Sequence, residues 1–468
     1  MSTLLVVMSC TPQVIKAEEE DEAAAAATSP PVVHGSLEVT ATAIPIPSVS
    51  VVDSDAVRAT IPIGDGSEVL RGIAGADLSR MGGHGLEPFV RGMSRGDLTV
   101  LLDGATINGG CPNRMDPPTA YGSAETTDRV VVIRGVQTLR YGPGAPGGTV
   151  LYDRRPPGAD AAPWSVDLAT GTSSWSAAPD LAMDVGLGLG EWGLRATGSF
   201  RDLDNYADGN GDAVRAAARC TSAMVMGGWQ RQNTMVELSY EWADTADALF
   251  AGAGMDAPES TAQILRLQTE RPAVEGRLGW HVDAFANTVD HLMDNFSLRP
   301  LRAPMALEVP TETSTMGLRG HLELGGRLPF LLGVTVEQAD AEATRFGGPD
   351  PENISMIQSI MWPDVERRQV GLFAEGVSRL GAQTRLVFGL RIDQFTADTG
   401  RADEATMGGN GPTPRQLWTR YYGDNEVSWS DTDVGGLLRF EHATGSWSLN
   451  AGVSRTARVA DATERYLG

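Results

Sequence analysis

Apolar and polar residues alternate along several segments in the second half of the chain. In RLVFGLRID, residues 385–393, the even positions carry large apolar side chains, whereas Arg391 and Asp393 lie on the odd positions. MGLRGHLEL, residues 316–324, and SWSLNAGVSR, residues 446–455, repeat this alternation. Successive side chains of a β-strand point to opposite faces, so a period of two predicts strands with one apolar and one polar face.

Two kinds of β-protein show this alternation. Outer-membrane β-barrels place apolar residues towards lipid and polar residues towards the lumen. Soluble β-sandwiches have the same period but pack the apolar face against a second sheet. Long acidic, glycine-rich intervals such as DAEATRFGGPDPENISM, residues 340–356, favour a barrel with large external loops.

The first third of the chain has a different pattern. Asp65 and Glu68 precede apolar residues at helical spacing, Val69, Leu70 and Ile73, which predicts a capped short helix. DLTVLLDG, residues 97–104, and DRVVVIRG, residues 128–135, are apolar runs bounded by Asp and Gly and predict short buried strands. These elements indicate a compact α+β domain. YGPGAPGGTVLY, residues 141–152, lacks the GK[ST] ending of a phosphate-binding loop, so we interpret it as a structural turn.

Composition narrows the functional classes. The 468 residues carry a formal net charge of −23, which argues against nucleic acid as a partner, because a nucleic-acid binder needs a basic face. The three cysteines are too few and too scattered for a disulfide framework. The sequence contains no run of 18 apolar residues, so it predicts no membrane-spanning helix. No paired carboxylates, Ser/His/Asp arrangement, HExxH or CxxC motif can be singled out, so no enzyme activity is predicted.

The N-terminal 36 residues are expected to lie outside the folded domains. MSTLLVVMSC has a short apolar run without a preceding Lys or Arg, which we interpret as an incomplete leader. The following segment is acidic and Ala-rich and ends in two prolines, a composition typical of a disordered, solvated stretch. LEVTATA, residues 37–43, is β-favouring and is closed off by IPIP.

These segments resemble a known family. LEVTATA, FVRGM, LTVLLDGATI and DRVVVIRGVQTLRYGPGAPGGTVLY look like the coupling box and plug domain of TonB-dependent outer-membrane transporters, in the family's order over residues 37–152. Two further segments, GGHGLEPFVRG at 82–92 and NGGCPNRMDPPTAY at 108–121, resemble the copper-receptor branch of the OprC/NosA type. They fall outside the motifs that all plugs share.

The resemblance implies a transmembrane β-barrel with an N-terminal α+β plug, in the outer membrane of a Gram-negative cell. It divides the chain into a leader (1–36), a TonB-box-like segment (37–43), a plug (44–159) and a partial barrel (160–468). We expect TonB and outer-membrane lipid as partners, and a monomer. TonB would pull on the coupling residues Leu37, Glu38, Val39, Thr40, Ala41, Thr42 and Ala43. Plugged transporters use about 22 strands, more than the remaining residues supply, so we expect an incomplete, C-terminally truncated barrel.

A candidate metal site begins with Cys111 and Met115 in CPNRM. Pro112 suits the first position of a helical turn, and residues four apart on such a turn share a side. With 16 Met in 468 residues, a Met at this offset arises by chance roughly once in thirty. Without further observations, a small buried Cys beside a packing Met is the simpler interpretation.

The second half of the candidate site lies in the barrel segment. His291 and Met293, in WHVDAFANTVDHLMDNF, share the polar parity with His281 and Asp283 and are therefore predicted to face the lumen. A polar lumen histidine with an incidental Met is the alternative. The copper receptors are similar in pairing Cys-x-x-x-Met in the plug with His-x-Met in the barrel. Soft sulfur ligands favour Cu(I), although an imidazole also tolerates Cu(II).

Other sulfur and imidazole residues rank lower as candidates. Cys220, near Met224 and Met226, fits a barrel strand; His84 could support the plug apex; Met356 and Met361 suit local packing near Trp362 or a route for copper. The resulting hypothesis is TonB-dependent copper uptake. The alternatives are a siderophore receptor whose Cys and Met are structural, and a metal-binding receptor remnant that does not transport.

Overall fold

The computed structural model describes residues 3–12, 48–53, 65–124, 126–157, 163–274, 277–325, 328–445 and 447–468. The predicted coupling segment 37–43 lies outside the described residues, as does most of the acidic, Ala-rich stretch. None of the helices in these ranges is long and apolar enough to cross a membrane.

The N-terminal part is built on a four-stranded mixed sheet in the order β2-β6-β7-β5. Its β5–β7 pair is parallel and its other two pairs are antiparallel. The first seven strands are β1 (Thr3–Pro12), β2 (Val49–Asp53), β3 (Ala76–Arg80), β4 (Leu86–Val90), β5 (Leu98–Leu102), β6 (Arg129–Arg134) and β7 (Gly148–Asp153). The apolar runs predicted as buried strands are β5 and β6. Both faces of β6 are covered, which explains its continuous run of apolar residues.

The predicted helix after Asp65 is present, as a 3₁₀ helix from Gly66 to Gly72. The Asp65 carboxylate accepts a hydrogen bond from the Ser67 amide at 3.1 Å and another from the Leu86 amide at 3.2 Å. Two further 3₁₀ helices span Arg95–Asp97 and Pro118–Tyr121. The helical part of this α+β unit is therefore 3₁₀ in the described residues.

The C-terminal part forms one antiparallel sheet, which β1 joins by pairing with the last strand, β22. The prediction that residues 1–36 lie outside the folded domains is therefore wrong for residues 3–12, because this apolar run adds a strand to the open edge of β22. In the described ranges this sheet has fourteen strands in the order β1-β22-β21-β20-β19-β18-β17-β16-β15-β14-β13-β10-β9-β8, with β11 and β12 in a separate hairpin. The strands are β8 (Trp164–Gly171), β9 (Asp180–Leu189), β10 (Trp192–Leu203), β11 (Tyr206–Ala207), β12 (Ala213–Val214), β13 (Ala218–Arg231), β14 (Thr234–Ala248), β15 (Asp256–Arg271), β16 (Gly279–Asp294), β17 (Ala306–Leu324), β18 (Phe330–Gly348), β19 (Met356–Arg379), β20 (Thr384–Thr399), β21 (Trp429–Thr444) and β22 (Trp447–Thr456). Fourteen is fewer than the roughly 22 strands of a complete plugged barrel.

The predicted faces of these strands are confirmed. On β20, Leu390 is 62% exposed and Ile392 47%, whereas Arg391 and Asp393 between them are buried. The same alternation holds on β17 and β22. The exposed face is an apolar band, and the buried face holds charged and polar side chains, which is the arrangement of an outer-membrane barrel.

The described residues after β20 also form two short α-helices and a fourth 3₁₀ helix. Helices α1 (Pro414–Tyr421) and α2 (Ala462–Tyr466) each begin at a capping box, and the 3₁₀ helix spans Met407–Gly409. The plug packs against the buried face of the large sheet. Its apolar core, including Leu102 and Val132, is continuous with lumen-facing residues such as Ile264, Phe285 and Val289. The plug and the wall thus share one core, so the wall determines where the plug loops lie.

Candidate metal centre

The CPNRM segment forms a β-turn, and the predicted helical turn is wrong. The Arg114 amide donates to the Cys111 carbonyl oxygen at 2.7 Å. Arg114 has a φ of 57°, in the left-handed region, which stops a right-handed helix from continuing. Cys111 and Met115 nevertheless reach one buried cluster, because the turn folds the segment back on itself.

Asp116 holds this turn in place, and sequence reasoning missed it. Its carboxylate accepts hydrogen bonds from the Gly110 amide at 2.6 Å, the Cys111 amide at 3.0 Å and the Tyr121 hydroxyl at 2.6 Å. Asp116 is only 3% exposed. A buried carboxylate must be satisfied by donors, so Asp116 fixes the backbone that carries Cys111. Its position directly after CPNRM, followed by two prolines, was the available signal.

The segment before the turn is attached to the barrel wall. Residues 104–108 hydrogen-bond to side chains of β16 and β17: Arg319 donates to the Gly104 carbonyl oxygen and to Thr106 Oγ1, the latter at 2.6 Å. Asn287 Nδ2 donates to the Thr106 carbonyl oxygen at 2.9 Å, and Asn108 Nδ2 to Thr315 Oγ1 at 2.8 Å. These hydrogen bonds to β16 and β17 hold the backbone directly before Gly110 and Cys111, and so help to position both residues.

The structure brings the four predicted ligand residues together. Cys111 Sγ lies 3.7 Å from Met293 Sδ, and Met115 packs in the same buried cluster. A side chain on Gly110 could not be accommodated, because its Cβ would lie 2.5 Å from His291 Cβ. The turn therefore lies directly against His291. The exposed fractions of the four residues are 4% for Cys111, 5% for Met115, 4% for His291 and 6% for Met293.

Neither ring nitrogen of His291 has a hydrogen-bond partner in the described part of the chain, although both are buried. Buried polar atoms are rarely left unsatisfied, and such an exception points to a function or a missing ligand. Among the described residues, no group of three His, Cys, Asp or Glu could hold a metal ion. A metal at this site would therefore depend on thioether sulfur as well as on the thiol and the imidazole, which selects a soft ion.

The Cys111 thiol is protonated in this environment. Burial and the nearby Asp116 carboxylate raise the pKa of Cys111 to about 12. Metal binding would consequently displace a proton from the thiol. The Asp116 charge would at the same time favour a cation beside it, since opposite charges attract strongly in a poorly hydrated interior.

Other sulfur residues surround this site. Cys220 is on β13, as predicted, and together with Met255 and Met361 it packs against the cluster that holds Cys111 and Met293. His84 contacts Cys220, with Nδ1 3.2 Å from Sγ. The contact joins residues 136 positions apart, so nothing in the local sequence indicated it. Met356 is 39% exposed.

A cluster of buried charges also joins the plug to the wall. Plug residue Arg154 donates to both carboxylate oxygens of Glu241 on β14, at 2.8 and 2.6 Å, and to Asp103 at 2.7 Å. Arg266 on β15 donates to Glu241 at 2.7 Å. These side chains are between 2% and 6% exposed. These ion pairs cross from the plug to the wall, so a displacement of the plug would break them.

Comparison with known proteins agrees with this architecture. The TonB-dependent Receptor Plug Domain family matches residues 44–149. A solved structure described as "Copper transporter OprC" superimposes with a TM-score of 0.76 at 27% sequence identity, covering 89% of this chain and 64% of that one. Residues 44–149 therefore form a plug domain of the TonB-dependent receptor type, and the fold of the rest of the chain resembles that of such receptors. TonB-dependent receptors are outer-membrane proteins of Gram-negative bacteria.

Two proteins named for iron transport are also similar to this chain, one at lower identity and one over a shorter stretch. The ferric citrate transporter FecA superimposes with a TM-score of 0.67 at 14% identity, which indicates a similar fold only. The ferric enterobactin receptor PirA of Pseudomonas aeruginosa is 29% identical over 124 residues, which are 24% of this chain and 17% of that protein. The chain spans less than two thirds of the length of these relatives.

Proposed function

We propose that this TonB-dependent receptor takes up copper across the outer membrane, binding it as Cu(I) between plug and barrel. The observation that carries the proposal is the contact of Cys111 on the plug with Met293 on the barrel, beside the unpartnered imidazole of His291. Met115 supplies the fourth donor. A thiolate, two thioethers and an imidazole form a donor set suited to Cu(I) and poorly suited to Mg²⁺ or Ca²⁺.

The position of the site between two bodies supports a transport role. Two proposed ligands are on the plug and two are on β16, so displacement of the plug would separate them and release the ion. We propose that TonB supplies this displacement by binding residues 37–43. The likeness to a structure named as a copper transporter, at 27% identity, supports copper as the cargo.

A siderophore receptor is the alternative function. The relative named as a ferric enterobactin receptor favours it, as does a cavity of about 330 Å³ between plug and wall, lined in part by Arg319, Arg367 and Arg368. A volume near 300 Å³ is at the lower end for small-molecule sites. In this alternative, Cys111 and its neighbours would be packing residues only.

Copper binding by single variants separates the two functions. Cys111→Ala, Met115→Ala and His291→Ala should each weaken Cu(I) binding by at least about tenfold, measured by competition with a chromophoric Cu(I) chelator. His442→Ala and Met316→Leu are matched controls, because His442 contacts Thr384 on β20 and Met316 is 54% exposed on the outer face. Unchanged binding in all three site variants would reject the copper site.

Uptake tests the coupling to TonB. Deleting residues 37–43 should abolish copper accumulation by cells while leaving Cu(I) binding by the purified receptor intact. Uptake that survives the deletion would contradict TonB-dependent transport and favour a binding protein.

A further inference from the structure

A second thiol–imidazole pair lies beside the proposed copper site and has no role in it. Cys220 Sγ on β13 is 3.2 Å from His84 Nδ1 on the plug, and His84 Nε2 is 3.2 Å from Thr245 Oγ1 on β14. His84 is 6% exposed. As in the proposed copper site, the donors come from both the plug and the wall, here one from each.

The glycines of GGHG are what bring His84 to the wall. A Cβ on Gly83 would overlap the Ala216 carbonyl oxygen, and one on Gly82 would lie 2.6 Å from a ring carbon of Phe250. Gly85 has a φ of +75°, and its Cβ would lie 2.5 Å from the Met115 carbonyl oxygen. The turn is therefore inserted between the barrel wall and the CPNRM loop, and His84 projects from it towards Cys220.

The proposed copper site and the His84–Cys220 pair border the same apolar, sulfur-rich region. Cys220 and Met255 pack against the buried cluster that contains Cys111, Met115 and Met293. His84 is buried and Cys220 is half-buried, and soft donors lie on each side of the region. Packed apolar and sulfur side chains therefore connect the second pair to the first site.

We propose that His84 and Cys220 form a second Cu(I)-binding site, which accepts copper from the site at Cys111. Binding replaces the thiol proton of Cys220 by the metal, and the proton is released to solvent. With bond lengths near those of zinc sites, a metal held at a tetrahedral angle needs about 3.5 Å between sulfur and nitrogen. The observed 3.2 Å is shorter by only a few tenths of an ångström. A small side-chain rotation would therefore admit the ion.

The transfer step rests on the proposed function, whereas binding at the second site does not. Cu(I) binding is therefore counted on the purified full chain in detergent, with ascorbate as reductant and a chromophoric chelator as competitor. All proteins carry Cys10→Ser, so that two thiols remain. The variants are Cys220→Ser and His84→Gln for the second site, Cys111→Ser for the first, and Cys111→Ser/Cys220→Ser for both.

The expected result is a loss of one bound Cu(I) per chain in each single variant and of two in the double variant. Thr245→Val is the matched control: it removes the neighbouring hydroxyl and keeps both donors, so it should bind as many ions as the parent. X-ray absorption at the copper edge of Cys111→Ser should show sulfur and nitrogen neighbours, and His84→Gln added to it should remove that signal.

Two outcomes distinguish the proposals. If Cys220→Ser and His84→Gln both bind as much copper as the parent, the pair is a hydrogen bond between plug and wall, and the second site is rejected. If these variants lose one ion while Cys111→Ser loses none, the second site stands and the proposed function fails. Cys220→Ser changes the wall and His84→Gln changes the plug. If one of these variants fails to fold, the copper count of the other still tests the second site.

Discussion

Cys111 has little metal-binding capacity without its neighbours. Its thiol is buried and lies near the Asp116 carboxylate, and both effects favour the protonated form. The same carboxylate holds the Cys111 amide, so one side chain fixes the position of the thiol and raises its pKa. A metal therefore binds at this thiol only if its bond to sulfur is strong enough to displace the proton, which favours a soft metal over a hard cation.

The raised pKa predicts a pH-dependent affinity for copper. A pKa of about 12 means that the thiol is protonated throughout the range from pH 7 to 9. Each ion then displaces one proton, and the Kd for Cu(I) should fall about tenfold per unit rise in pH. The measurement is chelator competition in a Cys220→Ser background, which leaves the first site. Cys111→Met, whose thioether has no proton to lose, should flatten this dependence; a steep slope in that variant would assign the proton to another group.

Asp116→Asn tests the positioning role of the carboxylate. An asparagine side chain has one acceptor oxygen, so its amide group would face one of the three donors that Asp116 now satisfies. We expect copper affinity to fall about 10- to 100-fold, as it does when outer partners of metal ligands are changed. The Kd should still fall about tenfold per unit rise in pH, because Cys111 is still the ligand and still loses one proton. Asp424→Asn, in an exposed loop, is the matched control and should change neither quantity.

At the scale of elements, strands could be predicted and loops could not. The alternation along β17, β20 and β22 follows from the contact of one face with lipid and of the other with polar groups, and it is visible in single segments. The turn at Cys111 depends on Asp116 and on the left-handed φ of Arg114, neither of which has a periodic signal. The contact between His84 and Cys220 joins residues far apart in the chain, so only the folded barrel reveals it.

Gly110→Ala tests how closely the turn approaches strand β16. The added methyl group would lie 2.5 Å from His291 Cβ, closer than carbon atoms approach, so the turn must move away. We expect the first site to lose Cu(I) binding by at least tenfold while the strands stay intact. The measurement is copper affinity, with far-ultraviolet circular dichroism for the sheet. Gly72→Ala should be neutral, because no atom lies within 4 Å of its added Cβ. Equal affinities for the two variants would show that the turn is not held against His291.

At the scale of the molecule, the plug is held by buried charges as well as by shared apolar core. Arg154 and Arg266 converge on Glu241, and all three side chains are at most 5% exposed. Paired charges in such a place stabilise little on balance, because desolvation offsets their attraction. They do join the plug to the wall, so any displacement of the plug depends on breaking this cluster.

Removing Glu241 tests this dependence. In Glu241→Ala two buried guanidinium groups lose their shared carboxylate, which costs about 3–5 kcal/mol when one partner of a buried pair is deleted. We expect the free energy of plug opening to fall by this amount, measured by hydrogen exchange of the β5–β7 amides in detergent. Asp403→Ala is the control: it breaks the exposed pair with Arg415, whose partners are 70% and 38% exposed, and exposed pairs contribute at most about 1 kcal/mol. If plug opening limits copper release, Glu241→Ala should also raise the rate at which bound Cu(I) leaves, with the four ligands unchanged. Faster plug exchange without faster copper release would mean that the ion leaves while the plug stays in place.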